Sequence, residues 1–101
     1  MPTLVKVAKT SEIPAGKGKV IEVGGKTLAV FNCAGTFYAT DNTCLHRGGP
    51  LGEGAVSGTM VTCPWHGWTY DVTSGACEMD ASMKVHTYSV TVEGNEILVA
   101  V

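Results

Sequence analysis

The sequence predicts an all-β protein folded as a single domain, residues 1–101, and three observations predict it. Short segments rich in Val, Ile, Thr, Phe and Tyr alternate between two faces. No stretch sustains the 3.6-residue period of a helix, and thirteen Gly and four Pro punctuate the chain at intervals suited to tight turns. The composition is 45% hydrophobic and 16% charged over 101 residues. A domain of this size buries roughly 60 to 70% of the surface its unfolded chain exposes. Such a core is modest, so a metal joining two loops would contribute to folding.

Taken in order, residues 4–9 read as a strand, with Val5 and Val7 on one side and Leu4, Lys6 and Ala8 on the other. Residues 11–16 carry Ser, Pro and Gly and read as a turn with a single helical turn. Residues 19–23 and 27–32 are rich in β-branched and aromatic side chains and flank Gly24-Gly25, a doublet free to adopt positive φ in a tight hairpin. A second hairpin is expected at residues 32–35, leading into Phe37-Tyr38-Ala39. From 41 to 58 the pattern stops: Gly48-Gly49-Pro50 and Gly52-Glu53-Gly54 break any ladder, leaving Leu45, Leu51, Ala55 and Val56 to bury. Residues 60–62 and 68–71 read as short strands, 73–75 as a turn and 76–84 as a loop. Residues 85–93 alternate as one strand, with Tyr88, Val90 and Val92 on one face and Thr87, Ser89 and Thr91 on the other. Gly94-Asn95 makes the last hairpin, and Ile97, Val99 and Val101 complete the core.

The formal charge is −2 and the seven Lys/Arg are scattered, which argues against a nucleic-acid surface. The longest apolar stretches, 28–31 and 97–101, are too short to span a bilayer, and the first residues lack the pattern of a secretory signal. Four Cys in such a chain read as metal ligands rather than a disulfide framework, so a cytoplasmic location is expected, with no membrane partner.

The interruption between 41 and 71 contains the chemistry. Cys44-Leu45-His46 and Cys63-Pro64-Trp65-His66 each offer one thiolate and one imidazole, and residues 47–62 contain no other Cys or His. Two Cys and two His can hold zinc tetrahedrally, or a two-iron cluster in which the Cys serve one iron and the His the other. In zinc fingers like ligands usually pair locally; here each loop mixes one of each. Flanking glycines let backbone amides approach bridging sulfides and donate hydrogen bonds to them.

Together, Cys44-Leu45-His46-Arg47-Gly48-Gly49-Pro50-Leu51 and Cys63-Pro64-Trp65-His66-Gly67-Trp68 resemble the two boxes of the Rieske [2Fe-2S] family, C-x-H and C-x2-H. Residues 13–16, 37–42, 52–54 and 70–75 resemble the sequence surrounding those boxes, so the likeness covers nearly the whole chain. The resemblance implies an antiparallel β-sandwich with an inserted cluster-binding subdomain at about 41–71. It implies one [2Fe-2S] cluster per chain, with Cys44 and Cys63 on the inner iron and His46 and His66 on the outer, more exposed iron. Two ferric ions, two sulfides and two thiolates sum to zero beside neutral imidazoles, so reduction reaches only −1. A four-thiolate cluster would go from −2 to −3, which is harder. With no vacant ligand position, the group implies a one-electron carrier with no catalytic residue of its own. The exposed edges of the two histidines would be the electron exit, and their outer nitrogens couple reduction to protonation.

Departures from other branches narrow the reading. Respiratory Rieske proteins carry an additional Cys in each box, forming a disulfide; the corresponding positions lie near Gly49 and at Trp65, so that bridge is absent. They also place a Ser two residues after the second His and a Tyr two further on, both donors that raise the potential. This chain has Trp68 and Tyr70 there, which implies a potential in the lower part of the family range. The sequence therefore looks like a ferredoxin of a dioxygenase system. Its expected partners are an NAD(P)H-dependent flavin reductase and a terminal oxygenase. The alternative is the small subunit of nitrite reductase beside its large subunit; a zinc-stabilised module or a redox sensor is a further reading.

Around the ligands, Arg47, Gly48, Trp65, Gly67, Trp68 and Tyr70 are candidates for supporting or shielding the cluster. The bland alternatives are a solvated Arg47, a core aromatic at Tyr70, and tryptophans at a docking surface. Cys33 and Cys77 read as free thiols, and His86 as a structural residue opening a strand. Glu53, Asp71, Glu78 and Asp80 read as a solvated face. Residues 76–84 lack the Pro that stiffens a third loop in many family members, so looser cover is expected there.

Overall fold

A computed structural model describes residues 4–23, 25–42, 50–65, 67–78 and 82–100. Among these residues, ten strands form three antiparallel sheets. They are β1 (Leu4–Lys9), β2 (Gly18–Val23), β3 (Lys26–Cys33), β4 (Thr36–Asp41), β5 (Ala55–Ser57), β6 (Met60–Thr62), β7 (Thr69–Asp71), β8 (Thr87–Tyr88), β9 (Val90–Glu93) and β10 (Glu96–Ala100). The sheet orders are β1-β10-β9, β2-β3-β4-β8 and β5-β6-β7. No α-helix occurs among the described residues; Thr10–Glu12 and Leu51–Glu53 are single 3-10 turns.

The organising strand is β3. From Leu28 to Cys33 every residue is buried, because both faces of its sheet are covered. Leu28 and Val30 join Ala8, Ile13, Ile21, Ala39, Ile97 and Val99 in one hydrophobic cluster. Ala29, Phe31 and Cys33 point the other way, into a second cluster with Leu51, Val61, Cys63, Tyr70, Val72, Cys77 and Val85. The period of two thus sorts one strand between two cores. The first holds the sandwich together; the second carries the β5-β6-β7 sheet. At the β3–β4 hairpin, Ala34 and Gly35 both have positive φ (53° and 97°), as a two-residue turn with right-handed strand twist requires.

Most predicted elements are present, with differences at three places. Residues 85–93 are two strands, not one: β8 pairs with β4, then the chain crosses at Ser89 and β9 pairs with β10. Alternation reports facing but not which neighbour a strand takes, so the change of sheet is invisible in the pattern. Tyr88 and Val90 pack against the sandwich core as expected, whereas Val92, on the edge strand β9, is 44% exposed. Second, residues 55–57, read as part of the patternless stretch, form β5 against β6; Ala55 is exposed and Val56 half-buried. Third, the register of β1 on β10 shifts between Lys6 and Ala8, a bulge that turns both Val7 and Ala8 toward the core. His86 lies just outside β8, exposed, with its ring edge-on to Tyr88 at 4.6 Å between centroids. Gly24, Leu45, Gly48, Gly49, Asp80 and Val101 lie outside the described residues.

The second core also constrains the approach to β5. A side chain at Gly54 would collide with the Thr62 carbonyl oxygen and sit 3.0 Å from Val61 Cγ2. Gly58 has a positive φ (61°) but open space around it. Gly54→Ala is therefore expected to cost more than Gly58→Ala. The overpacking cost is about 1–3 kcal/mol, with β6 displaced, and denaturant unfolding midpoints of the two variants check the order.

Candidate functional site

The second loop, residues 63–68, is the connection between β6 and β7, whose last pair is Thr62 with Thr69. Just beyond that pair, the Cys63 N–H donates to the Trp68 carbonyl (2.7 Å) and the Gly67 N–H donates to the Cys63 carbonyl (3.1 Å). Both backbone polar groups of Cys63 are thereby held. Gly67 closes the turn at φ +76°, a left-handed conformation that glycine adopts without steric cost. The cysteine itself is 2% exposed and packs among Phe31, Leu51, Val61 and Tyr70. At the apex, Pro64 is exposed and Trp65 is 58% exposed. Trp68 is half-buried against the core. The two tryptophans therefore differ in setting: Trp68 packs against the core that contains Cys63, and Trp65 lies in solvent.

Of the first loop, the described parts are its two flanks. Asn42 ends the β4 side and Leu51 and Gly52 begin the other. Leu51 is fully buried in the cluster that contains Cys63 and Tyr70, so the flank of one loop and the base of the other share one core. Cys44, His46, Arg47, Gly48 and His66 lie outside the described residues.

Tyr70 is fully buried in that core. Behind it, the segment after β7 folds back. Tyr70 bridges to Cys77 and Ala76 to Lys84, the Cys77 N–H donates to the Met83 carbonyl (2.8 Å), and the Glu78 N–H to the Thr69 carbonyl (2.7 Å). The described parts of the 76–84 loop are thus tied to β7 despite the missing Pro. Cys33 and Cys77 are buried and neither is in a disulfide. Burial, reinforced by the Asp71 charge, pushes the Cys33 thiol up.

Asp71, read as a solvated carboxylate, has a structural task. Its carboxylate accepts from the Thr73 N–H (2.9 Å) and hydroxyl (2.6 Å), and its carbonyl accepts from the Gly75 N–H (2.6 Å). Glu53 and Glu78 are exposed as expected. At the root of the first loop, the Tyr88 hydroxyl donates to Asp41 Oδ1 (2.7 Å). Burial, with the Asp41 carboxylate beside it, pushes the phenol up to about 12. Asn42 and Asp71 were absent from the sequence-read site. The available signal was Asn and Asp at junctions of strand and loop, where their side chains bond nearby backbone.

Of the ligands read from the sequence, Cys63 alone lies among the described residues, and its buried sulfur would suit a metal. A thiolate sealed in an apolar cluster is costly without compensating charge, which a metal ion bound to Cys63 would supply.

The described residues form a small all-β frame in which a Cys-bearing hairpin loop packs against the flank of a second loop. The family model of the Rieske [2Fe-2S] domain matches residues 3–97. The ferredoxin component of the naphthalene 1,2-dioxygenase system of Pseudomonas aeruginosa is 35% identical over 89 residues, covering 87% of this chain and 86% of its own. Among solved structures, the ferredoxin of carbazole 1,9a-dioxygenase from Nocardioides aromaticivorans IC177 is 32% identical. Its TM-score is 0.89, with 97% of each chain covered. A ferredoxin in complex with the reduced oxygenase of a carbazole 1,9a-dioxygenase is 31% identical, with a TM-score of 0.86 over 96% of this chain and 92% of its own. A nitrite reductase small subunit-like protein from Mycobacterium tuberculosis superposes with a TM-score of 0.92 at 22% identity. It covers 100% of this chain and 96% of its own, a likeness of fold alone. The chain belongs to the Rieske [2Fe-2S] domain family. Its prosthetic group is a Rieske-type [2Fe-2S] cluster, and its function is electron transfer. No helix among the described residues is long and apolar enough to cross a membrane.

The bonds from Thr73 hold the Asp71 carboxylate below its usual range. A depressed folded-state value contributes stability above the unfolded pKa, near 3.8, that is lost as pH falls through the lower folded value. Asp71→Asn is expected to destabilise the protein at pH 7 by less than about 1 kcal/mol, because the group is solvent-screened. The difference should shrink below pH 4, and denaturant midpoints at both pH values check it.

Proposed function

We propose that the chain is the electron carrier of a multicomponent oxygenase system, taking one electron from an NAD(P)H-dependent flavin reductase and delivering it to a terminal oxygenase. Cys44 and Cys63 hold the inner iron, and His46 and His66 the outer iron, of one cluster per chain in the cytoplasm. Residues 41–71 form the cluster-binding part of a single domain. The carrier contributes no catalytic residue and binds neither nucleic acid nor membrane. When bound, the cluster supplies a one-electron couple, which in His-ligated clusters lies at about −150 to +300 mV.

The observation that carries this reading is Cys63: a buried thiol on a loop whose base is pinned at both backbone groups. Such a frame holds a sulfur ligand fixed between oxidation states. The chain's residues divide the remaining work. Trp68 and Tyr70, with the core around Cys63, exclude water from the inner side. Trp65, exposed beside His66, offers an apolar contact to a partner at the tip. Arg47, Gly48 and Gly67 flank the ligands and support their loops. The 35% identity to a dioxygenase ferredoxin component supports this system over nitrite reductase, for which the likeness rests on fold.

Three outcomes test the reading. Purified protein should be brown, with iron and acid-labile sulfide in equal amounts and a reduced-state electron paramagnetic resonance signal of low average g. Colourless protein holding one zinc would refute it. Redox titration should give a midpoint in the lower half of the range above, because Trp68 stands where a hydroxyl donor would raise it. A value near the upper end would sink that assignment. Reduction by a flavin reductase, then reoxidation by a terminal oxygenase but not by a nitrite reductase large subunit, separates the two systems.

A further inference from the structure

We propose that Asn42 is the positioning residue of the first ligand loop, a single side chain and backbone that join both flanks of residues 43–50; this rests on the reading of Cys44 and His46 as ligands. Asn42 is 9% exposed and stands where β4 ends. Its N–H donates to the Thr27 carbonyl (3.2 Å), which fastens it to β3, and its carbonyl accepts from the Leu51 N–H (2.7 Å). Its side-chain Oδ1 accepts from the Gly52 N–H (2.8 Å). One residue thus holds the entry and the exit of the loop against the central strand.

Two neighbours make this arrangement specific. Gly52 is buried, and a side chain there would meet Val20 Cγ2 at 2.7 Å, Asn42 Oδ1 at 3.0 Å and the Lys19 carbonyl carbon at 3.1 Å. Only a glycine brings its N–H to the asparagine at that depth. Leu51, bonded to the Asn42 carbonyl, is fully buried in the same cluster as Cys63. Asn42 therefore ties the first loop's flank to the core that seats the second loop's cysteine. Losing the side chain would leave a buried N–H without its acceptor. The exit flank could then shift relative to Cys63, and groups around a metal centre tune its affinity and potential through such placement.

Asn32 provides an internal comparison. It is also buried, 8% exposed. Its Nδ2 donates to the Ile13 carbonyl (2.8 Å), and its Oδ1 accepts from the Gly35 N–H (2.7 Å). It braces the end of β3 opposite Thr27, where Asn42 is fastened. A merely structural asparagine should behave as Asn32 does.

The test compares cluster-loaded Asn42→Ala, Asn42→Asp and Asn32→Ala with the parent protein. Iron release to a chelator, followed by visible absorbance, and the midpoint potential are read. Asn42→Ala is expected to bind a full complement of iron and sulfide, release iron about fivefold faster, the factor one net hydrogen bond is worth, and show a shifted potential. Asn42→Asp keeps the acceptor oxygen and should release at the parental rate. Asn32→Ala should melt at a lower temperature with parental release and potential. Parental release and potential in Asn42→Ala would overturn the proposal, as would equal changes in Asn32→Ala. Should Asn42→Ala not fold, Asn42→Asp decides: parental release supports the proposal and faster release overturns it. Cys44→Ala separates the two failures. A Cys44→Ala protein that still loads an unaltered cluster removes the ligand assignment and the proposal with it, whereas loss of the cluster beside a parental Asn42→Ala overturns the proposal alone.

Discussion

The structure depends on β3 being buried on both faces. Leu28 and Val30 serve the sandwich core, and Ala29, Phe31 and Cys33 serve the core that contains Cys63. Fully burying a large apolar side chain contributes roughly 1.5–3 kcal/mol, so a strand that does so on both faces couples two units that would otherwise be marginal. The small β5-β6-β7 sheet has three-residue strands and would not persist alone. It is stable because Val61, Tyr70 and Val72 complete a core begun by β3. The electron-transfer site thus rests on a strand whose own residues include none of the proposed ligands.

Polar residues finish what the apolar cores begin. At each end of β3 a buried asparagine fastens a departing segment: Asn32 holds the 13–16 turn and the Ala34-Gly35 hairpin, and Asn42 holds the flanks of the first ligand loop. Asp71 does the same for the turn after β7. The two asparagines satisfy backbone groups that an irregular segment would otherwise bury unpaired, a cost comparable to a lost hydrogen bond. The loops that carry the proposed ligands are therefore fastened at their bases by side chains outside the proposed ligand set.

The chemistry was legible because it is local. Mixed Cys and His within each loop, with glycines around them, needs no knowledge of the fold to suggest a two-iron group. The strands and hairpins were legible for the same reason, since a period of two and a Gly-rich turn are properties of neighbouring residues. What the pattern could not carry was partnership. Residues 85–93 alternate continuously, yet Tyr88 belongs to one sheet and Val90 to another. Ala55 and Val56 lie in a Gly-rich stretch without alternation, yet pair with Thr62 and Val61.

The sequence by itself determined the fold class, most strand positions, the ligand residues proposed for the cluster and the nature of the group they suit. All of these follow from residue type and short-range spacing. Only the tertiary structure decided that Trp68 is half-buried while Trp65 faces solvent. It also decided that Asn42 joins both flanks of the first loop. These depend on contacts between residues distant in the chain or on which face of a loop meets the core. Such outcomes are fixed by packing and by the need to satisfy buried backbone groups, neither of which a linear pattern records.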